Sequence, residues 1–179
     1  ILFIGNSITD MHCWPEAFVT SEGEYLPIVN RGNSGTYSTE QSDNLESYLQ
    51  SKPKKVFMMI GTNDIATSGG LNFSPEQVLQ YIKSIVARIQ ARSPQTKVYL
   101  YSILNNKTAN RVEATWLKAN ELIKAYAETV DKVTYVDLYD KLTGVAQGGA
   151  LSYDNLHLTA AAYQVWTESI CQYLQEDET

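Results

Sequence analysis

Five short, nearly unbroken apolar runs, set apart by longer stretches of helical periodicity, constrain this chain more than any other feature. They span 1–4, 26–29, 56–60, 98–103 and 133–136. Most lack the apolar–polar alternation of a strand with one wet face, so they predict strands covered on both sides. The segments between them carry helix signals. Ser74 and Gln77 make a capping box with Pro75 at the first helical position, and Val78, Ile82, Ile85, Val86 and Ile89 follow as one stripe. Ser38 and Gln41 repeat the capping signature ahead of Leu45, Tyr48 and Leu49. Val112, Trp116, Ala119, Ile123, Tyr126 and Ala127 share helical spacing, and Thr159 caps a last helix bearing Tyr163, Trp166, Ile170 and Leu174. Alternation of this kind requires right-handed crossovers between parallel strands. The expectation is α/β: a three-layer α/β/α sandwich around a flavodoxin-like five-stranded parallel sheet. With 179 residues and no repeat or linker, the chain reads as one domain over 1–179.

Composition excludes several functions. Lys and Arg number 14 against 20 Asp and Glu, a net charge of −6, which argues against a nucleic-acid partner. No apolar run approaches the ~18 residues of a membrane-spanning helix. Cys13 and Cys171 are too few and too far apart for a disulfide framework or a zinc site, and no metal is expected. The chain opens on Ile1, already inside a strand-like run. An upstream leader removed by trimming or cleavage would explain that start, and an exported location is the expectation.

In an open parallel sheet the ligand site lies beyond the carboxyl ends of the strands. Four loops are expected there. Gly5-Asn6-Ser7-Ile8-Thr9-Asp10 presents a hydroxyl on a Gly-led turn. Asn30-Arg31-Gly32-Asn33-Ser34-Gly35-Thr36 has glycines that free backbone N–H groups from a shielding Cβ. Gly61-Thr62-Asn63-Asp64 holds an amide able to donate to a developing negative charge. Asp154-Asn155-Leu156-His157 sets a carboxylate three residues before one of only two histidines. Taken singly, each is an ordinary turn. Together they supply a nucleophile, a base with its orienting carboxylate, and oxyanion donors.

With those blocks in this order, the chain resembles the SGNH hydrolases, the GDSL family of esterases and lipases, from Gly5 to His157. The resemblance implies Ser7 as nucleophile, His157 as general base and Asp154 as the carboxylate that orients it. It places the N–H groups of Ser7 and Gly35 and the side chain of Asn63 in the oxyanion hole, with Gly32 the weaker claimant to the glycine role. No cofactor is implied. Asn6 stands where the family carries Asp, and Leu158 where Pro is frequent; neither change removes a catalytic atom. The substrate implied is a small-molecule ester. The polar loops favour a short acyl group such as acetyl on a carbohydrate over a long lipid chain, with lysophospholipase or thioesterase activity as the nearest alternative. A reading of another class is a flavodoxin-like binding module cradling a phosphate on Gly5–Thr9, which leaves the third and fourth loops unexplained.

Lesser candidates remain. Asn105 and Asn106 follow the fourth strand and are expected near the pocket, and Tyr153 is a candidate acyl or sugar contact beside Asp154. His12 reads as a loop or rim residue and Asp137 as a cap. The sequence leaves the oligomeric state open.

Overall fold

The order of elements follows the sequence periodicity closely. A computed structural model of the chain describes residues 1–20, 22–104, 107–146 and 152–175. In chain order the elements are β1 (Leu2–Gly5), α1 (Ser7–Asp10), α2 (Trp14–Ala17), β2 (Val29–Gly32) and α3 (Ser38–Tyr48), the last running into a 3-10 turn at Leu49–Ser51. There follow β3 (Lys55–Met59), α4 (Pro75–Arg92), β4 (Lys97–Tyr101), α5 (Glu113–Ala127), β5 (Val133–Val136), α6 (Leu138–Ala146) and α7 (Ala160–Gln175). The strands form one parallel sheet in the order β2-β1-β3-β4-β5. The order reverses between β1 and β3, which places the crevice typical of such sheets beyond their carboxyl ends.

Side-chain alternation divides the core between the two faces. Leu2, Ile4, Val56, Met58, Val98 and Leu100 pack with Leu45, the α4 stripe, and Trp116, Ala119 and Ile123 of α5. Phe3, Phe57, Met59, Tyr99 and Tyr101 pack on the other face with Trp14, Leu138, Tyr163, Trp166 and Ile170. The second face is largely aromatic: Phe3 stacks on Trp14 and Phe57, and Trp166 meets Tyr101 edge-on. Lys55, buried at the start of β3, donates from Nζ to the carbonyls of Tyr173 and Leu174 near the end of α7. A cation there complements the helix's negative end.

Two sequence expectations are corrected, and one further helix is added. The second strand spans 29–32, not 26–29. Pro27 cannot donate to a ladder, and the Ile28 N–H turns back to the Leu26 carbonyl at 2.8 Å, so pairing with β1 starts at Val29 opposite Leu2. As an edge strand it tolerates Asn30 and Arg31. Ser38 is the first residue of α3, not its cap. The cap position belongs to Tyr37, whose N–H donates to Glu40 at 2.9 Å. The side chains of Ser38 and Gln41 are spent elsewhere, as shown below. The helix α6 was not foreseen; Asp137 caps its first turn by accepting from the Asp140 N–H.

Candidate active site

Beyond the carboxyl end of β1 the chain turns at once into α1. At Gly5 a Cβ would stand 2.1 Å from Thr9 Oγ1 and 2.7 Å from the Met59 carbonyl oxygen, so only glycine lets the helix fold back on the strand. Asn6 caps α1 by accepting the Ile8 N–H on Oδ1 at 3.0 Å, a task Asn and Asp perform about equally. That acceptance leaves one fewer free donor for the phosphate cradle considered above. A helix of four residues cannot satisfy its own last carbonyls. Tyr163 Oη donates to the Ile8 carbonyl at 2.6 Å, and Trp14 Nε1 and Asn30 Nδ2 donate to that of Thr9 at 2.8 and 3.2 Å. The Ser7 turn is thereby fastened to α7, α2 and β2. Ser7, at the head of α1, is only 7% exposed.

Across the crevice, His157 Nε2 lies 2.9 Å from Ser7 Oγ. Its Nδ1 lies 2.5 Å from Asp154 Oδ2. The other carboxylate oxygen, Oδ1, accepts the backbone N–H groups of His157 at 2.7 Å and Leu156 at 3.0 Å. One carboxylate thus folds the turn and aims the ring, and Asn155 takes the left-handed conformation (φ 68°) that asparagine tolerates. Partial burial raises the Asp154 pKa, but the bonds from the His157 ring and the two backbone donors outweigh it and hold the group at about 2. Asp154 is therefore ionised at neutral pH, and Nδ1 carries the proton it accepts. That tautomer leaves the Nε2 lone pair facing Ser7.

The second and third loops are bound into one unit. Asn63 Nδ2 donates to the Thr36 carbonyl at 3.0 Å, and Asn63 Oδ1 accepts from Arg111 Nη2 at 3.0 Å. Gln41 Nε2 donates to the Gly5 carbonyl and to Thr36 Oγ1, each at 2.8 Å. Buried Asp64 accepts on Oδ1 from the Ser38 N–H at 2.9 Å and the Ser38 hydroxyl at 2.5 Å. Burial raises the Asp64 pKa, and the Ser38 bonds oppose that shift. Asp10 accepts from the Ser34 hydroxyl at 2.6 Å, which ties the second loop to α1. Gly35, exposed at φ 81°, has an N–H that no acceptor takes among the described residues. The Gly32 N–H, by contrast, is spent on Asn30 Oδ1 at 2.8 Å. Of the two glycines, Gly35 is the one with a donor to spare.

Ser7, His157 and Asp154 are brought together in one relay, and Asn63 and the Gly35 loop are held against each other. Tyr153 is 67% exposed, with its ring 6.0 Å from the His157 ring. Asn105 and Asn106 lie outside the described residues. His12 packs inward: its ring stacks on Tyr163 at 4.5 Å and meets Trp14 edge-on, and burial lowers its pKa. Sequence reasoning missed Ser38, Gln41, Asp64 and Arg111. Asp64 stands next to Asn63, and the spacing of Ser38 and Gln41 mimics a capping box, which hides their bonds to Asp64, Gly5 and Thr36. Nothing local marks Arg111, which stands 48 residues from Asn63.

The GDSL-like Lipase/Acylhydrolase family model matches residues 3–165. The human platelet-activating factor acetylhydrolase IB subunit alpha2 is 28% identical over 191 residues, covering 98% of this chain and 74% of that protein. A solved structure from Streptococcus pneumonia, designated a platelet activating factor, superposes with a TM-score of 0.83 at 30% identity over 97% of this chain and 82% of its own. A GDSL-like lipase from Bacteroides thetaiotaomicron gives 0.77 at 25% identity over 98% and 87%.

Proposed function

Since this chain belongs to the GDSL-like lipase/acylhydrolase family and is an ester-bond hydrolase, we propose that it cleaves short acyl esters, acetyl foremost, through an acyl-enzyme on Ser7. The observation that carries this reading is the relay of Ser7 Oγ, 2.9 Å from His157 Nε2, with Asp154 2.5 Å from the other ring nitrogen. In the first half-reaction Ser7 Oγ attacks the ester carbonyl carbon while its proton passes to His157 Nε2. The oxyanion is met by the N–H groups of Ser7 and Gly35 and by the Asn63 Nδ2 hydrogen not spent on Thr36. Collapse of the intermediate expels the alcohol, which takes its proton from His157. Water, deprotonated by the same nitrogen, then releases the acid.

Two observations support a small acyl group on a polar alcohol such as a carbohydrate. Among the described residues, polar Asn33, Ser34 and Thr36 flank the candidate oxyanion donors Gly35 and Asn63. The exposed Tyr153 ring beside His157 offers a flat apolar platform with a polar tip, suited to a sugar face. The 28%-identical relatives, named acetylhydrolases, agree with the acyl size.

The test is hydrolysis of p-nitrophenyl esters from acetyl to palmitoyl by wild type and Ser7→Ala. The acetyl ester is expected to turn over fastest, and Ser7→Ala to lose about 10⁴- to 10⁶-fold in kcat, the range seen when a serine nucleophile is removed elsewhere. Equal rates in the two proteins would remove Ser7 from the mechanism. A maximum at long chains would instead point to lysophospholipase or thioesterase chemistry.

A further inference from the structure

We infer that Arg111 is a positioning residue for the reaction: it locks and polarises the Asn63 amide so that one Nδ2 hydrogen stays aimed at the oxyanion. This rests on the esterase reading above. The turn before α5 carries Arg111 across to the loop after β3. There Nε donates to the Thr62 carbonyl at 2.8 Å and Nη2 to Asn63 Oδ1 at 3.0 Å. Nη1 donates to Thr108 Oγ1 at 3.2 Å and Asn110 Oδ1 at 3.0 Å. Asn110 anchors the same turn, donating from Nδ2 to the Ser68 carbonyl at 2.7 Å and accepting the Thr67 N–H on its own carbonyl at 2.8 Å. The guanidinium is thus held by the loop after β3 at Thr62 and by its own turn at Thr108 and Asn110.

Three physical consequences follow. A guanidinium can only donate and a backbone carbonyl can only accept. With Arg111 at one end of the Asn63 amide and the Thr36 carbonyl at the other, the amide cannot flip. Its remaining Nδ2 hydrogen therefore has one direction. Second, a charge-assisted bond to Oδ1 draws electron density along the amide and strengthens Nδ2–H as a donor. Third, Arg111 is half-buried, and among the described residues no carboxylate forms an ion pair with it. No such carboxylate competes for the guanidinium there, so its pull on the Asn63 amide is undiminished.

The experiment measures kcat and KM for p-nitrophenyl acetate in wild type, Arg111→Met, Arg111→Lys, Asn63→Ala and the Asn63→Ala/Arg111→Met double variant, with melting temperatures alongside. Loss of one oxyanion donor costs about 10²- to 10³-fold in kcat. Arg111→Met leaves the donor present but held only through Thr36 and no longer polarised, so roughly 10- to 100-fold is expected, with KM changed less than about threefold. Arg111→Lys keeps the charge but serves fewer acceptors and should fall between wild type and Arg111→Met. The decisive readout is the cycle: in the Asn63→Ala background, Arg111→Met should cost about twofold or less, because the group it positions is gone. Equal fold losses in both backgrounds, or a loss confined to KM or melting temperature, would overturn the inference. If Arg111→Met does not fold, the same cycle is run with Arg111→Lys and judged by the same criterion. Failure of the esterase reading would show separately, as a wild type no faster than Ser7→Ala.

Discussion

Replacing Asp154 by Asn tests whether one carboxylate both builds the catalytic turn and selects the histidine tautomer. The amide can sit in two ways. In the first, Oδ1 keeps the His157 and Leu156 N–H groups at 2.7 and 3.0 Å, and Nδ2 points at His157 Nδ1. Nδ1 must then offer its lone pair, the proton moves to Nε2, and Ser7 faces a donor with nothing to receive its proton. In the second, Oδ1 faces Nδ1–H and the tautomer is right, but Nδ2 opposes two backbone donors. Two net hydrogen bonds at about 1 kcal/mol each make this arrangement less stable by about 2 kcal/mol, so only a few per cent of molecules are competent. The variant also loses the negative charge that stabilises the imidazolium, worth at most about 4 kcal/mol at 4 Å and an effective dielectric of 20. The Asp154 side chain is 39% exposed, so solvent screening trims that figure. The sum corresponds to a loss of about 10³- to 10⁴-fold in kcat, at 1.36 kcal/mol per decade. The assay is steady-state hydrolysis of p-nitrophenyl acetate at pH 7, with melting temperatures for Asp154→Asn and Asp154→Ala. Asn should melt close to wild type because the turn bonds survive, and Ala should melt lower because they do not. A folded Asp154→Asn enzyme within tenfold of wild type would refute the assignment of both roles to this carboxylate.

Two further outcomes follow from the scaffold. Gly5→Ala puts a Cβ 2.7 Å from a backbone oxygen that cannot swing away, so a loss of about 1–3 kcal/mol is expected by urea denaturation, and kcat should fall as the Ser7 turn is displaced. For Asp64, burial sets the folded pKa above its unfolded value of 3.8, so the native state binds the extra proton between the two values. Its contribution to stability is full below the unfolded pKa and is lost as pH rises through the folded one. Asp64→Asn keeps an acceptor for Ser38 without that titration. Its melting temperature relative to wild type should therefore climb between pH 4 and pH 7, and a constant difference across that range would contradict the account.

How much of the site was legible varies by residue, for a physical reason. Ser7, Asn63 and the Asp154–His157 pair sit just after strands or just before a helix, and the turn chemistry that shapes them is local. The resemblance favours Gly35 over Gly32, and the bond that spends the Gly32 N–H on Asn30 supplies the physical reason. Ser38 and Gln41 show the opposite failure: a spacing that suits a capping box was used instead to bind Asp64, Gly5 and Thr36. A buried side chain bonds to whatever polar group packing brings near, and local spacing does not record that neighbour.

The sequence by itself determined the layered α/β architecture, because continuous apolar runs must be covered on both faces and helical stripes are the only cover the chain offers. It also pointed to the candidate reacting groups, because their four blocks occur together and in order. Tertiary structure alone decided where the second strand starts, which glycine keeps a free donor, and how Asn63 is held from one side by Thr36 and from the other by Arg111. Those outcomes depend on contacts between segments tens of residues apart, set by how the sheet brings its loops to one edge.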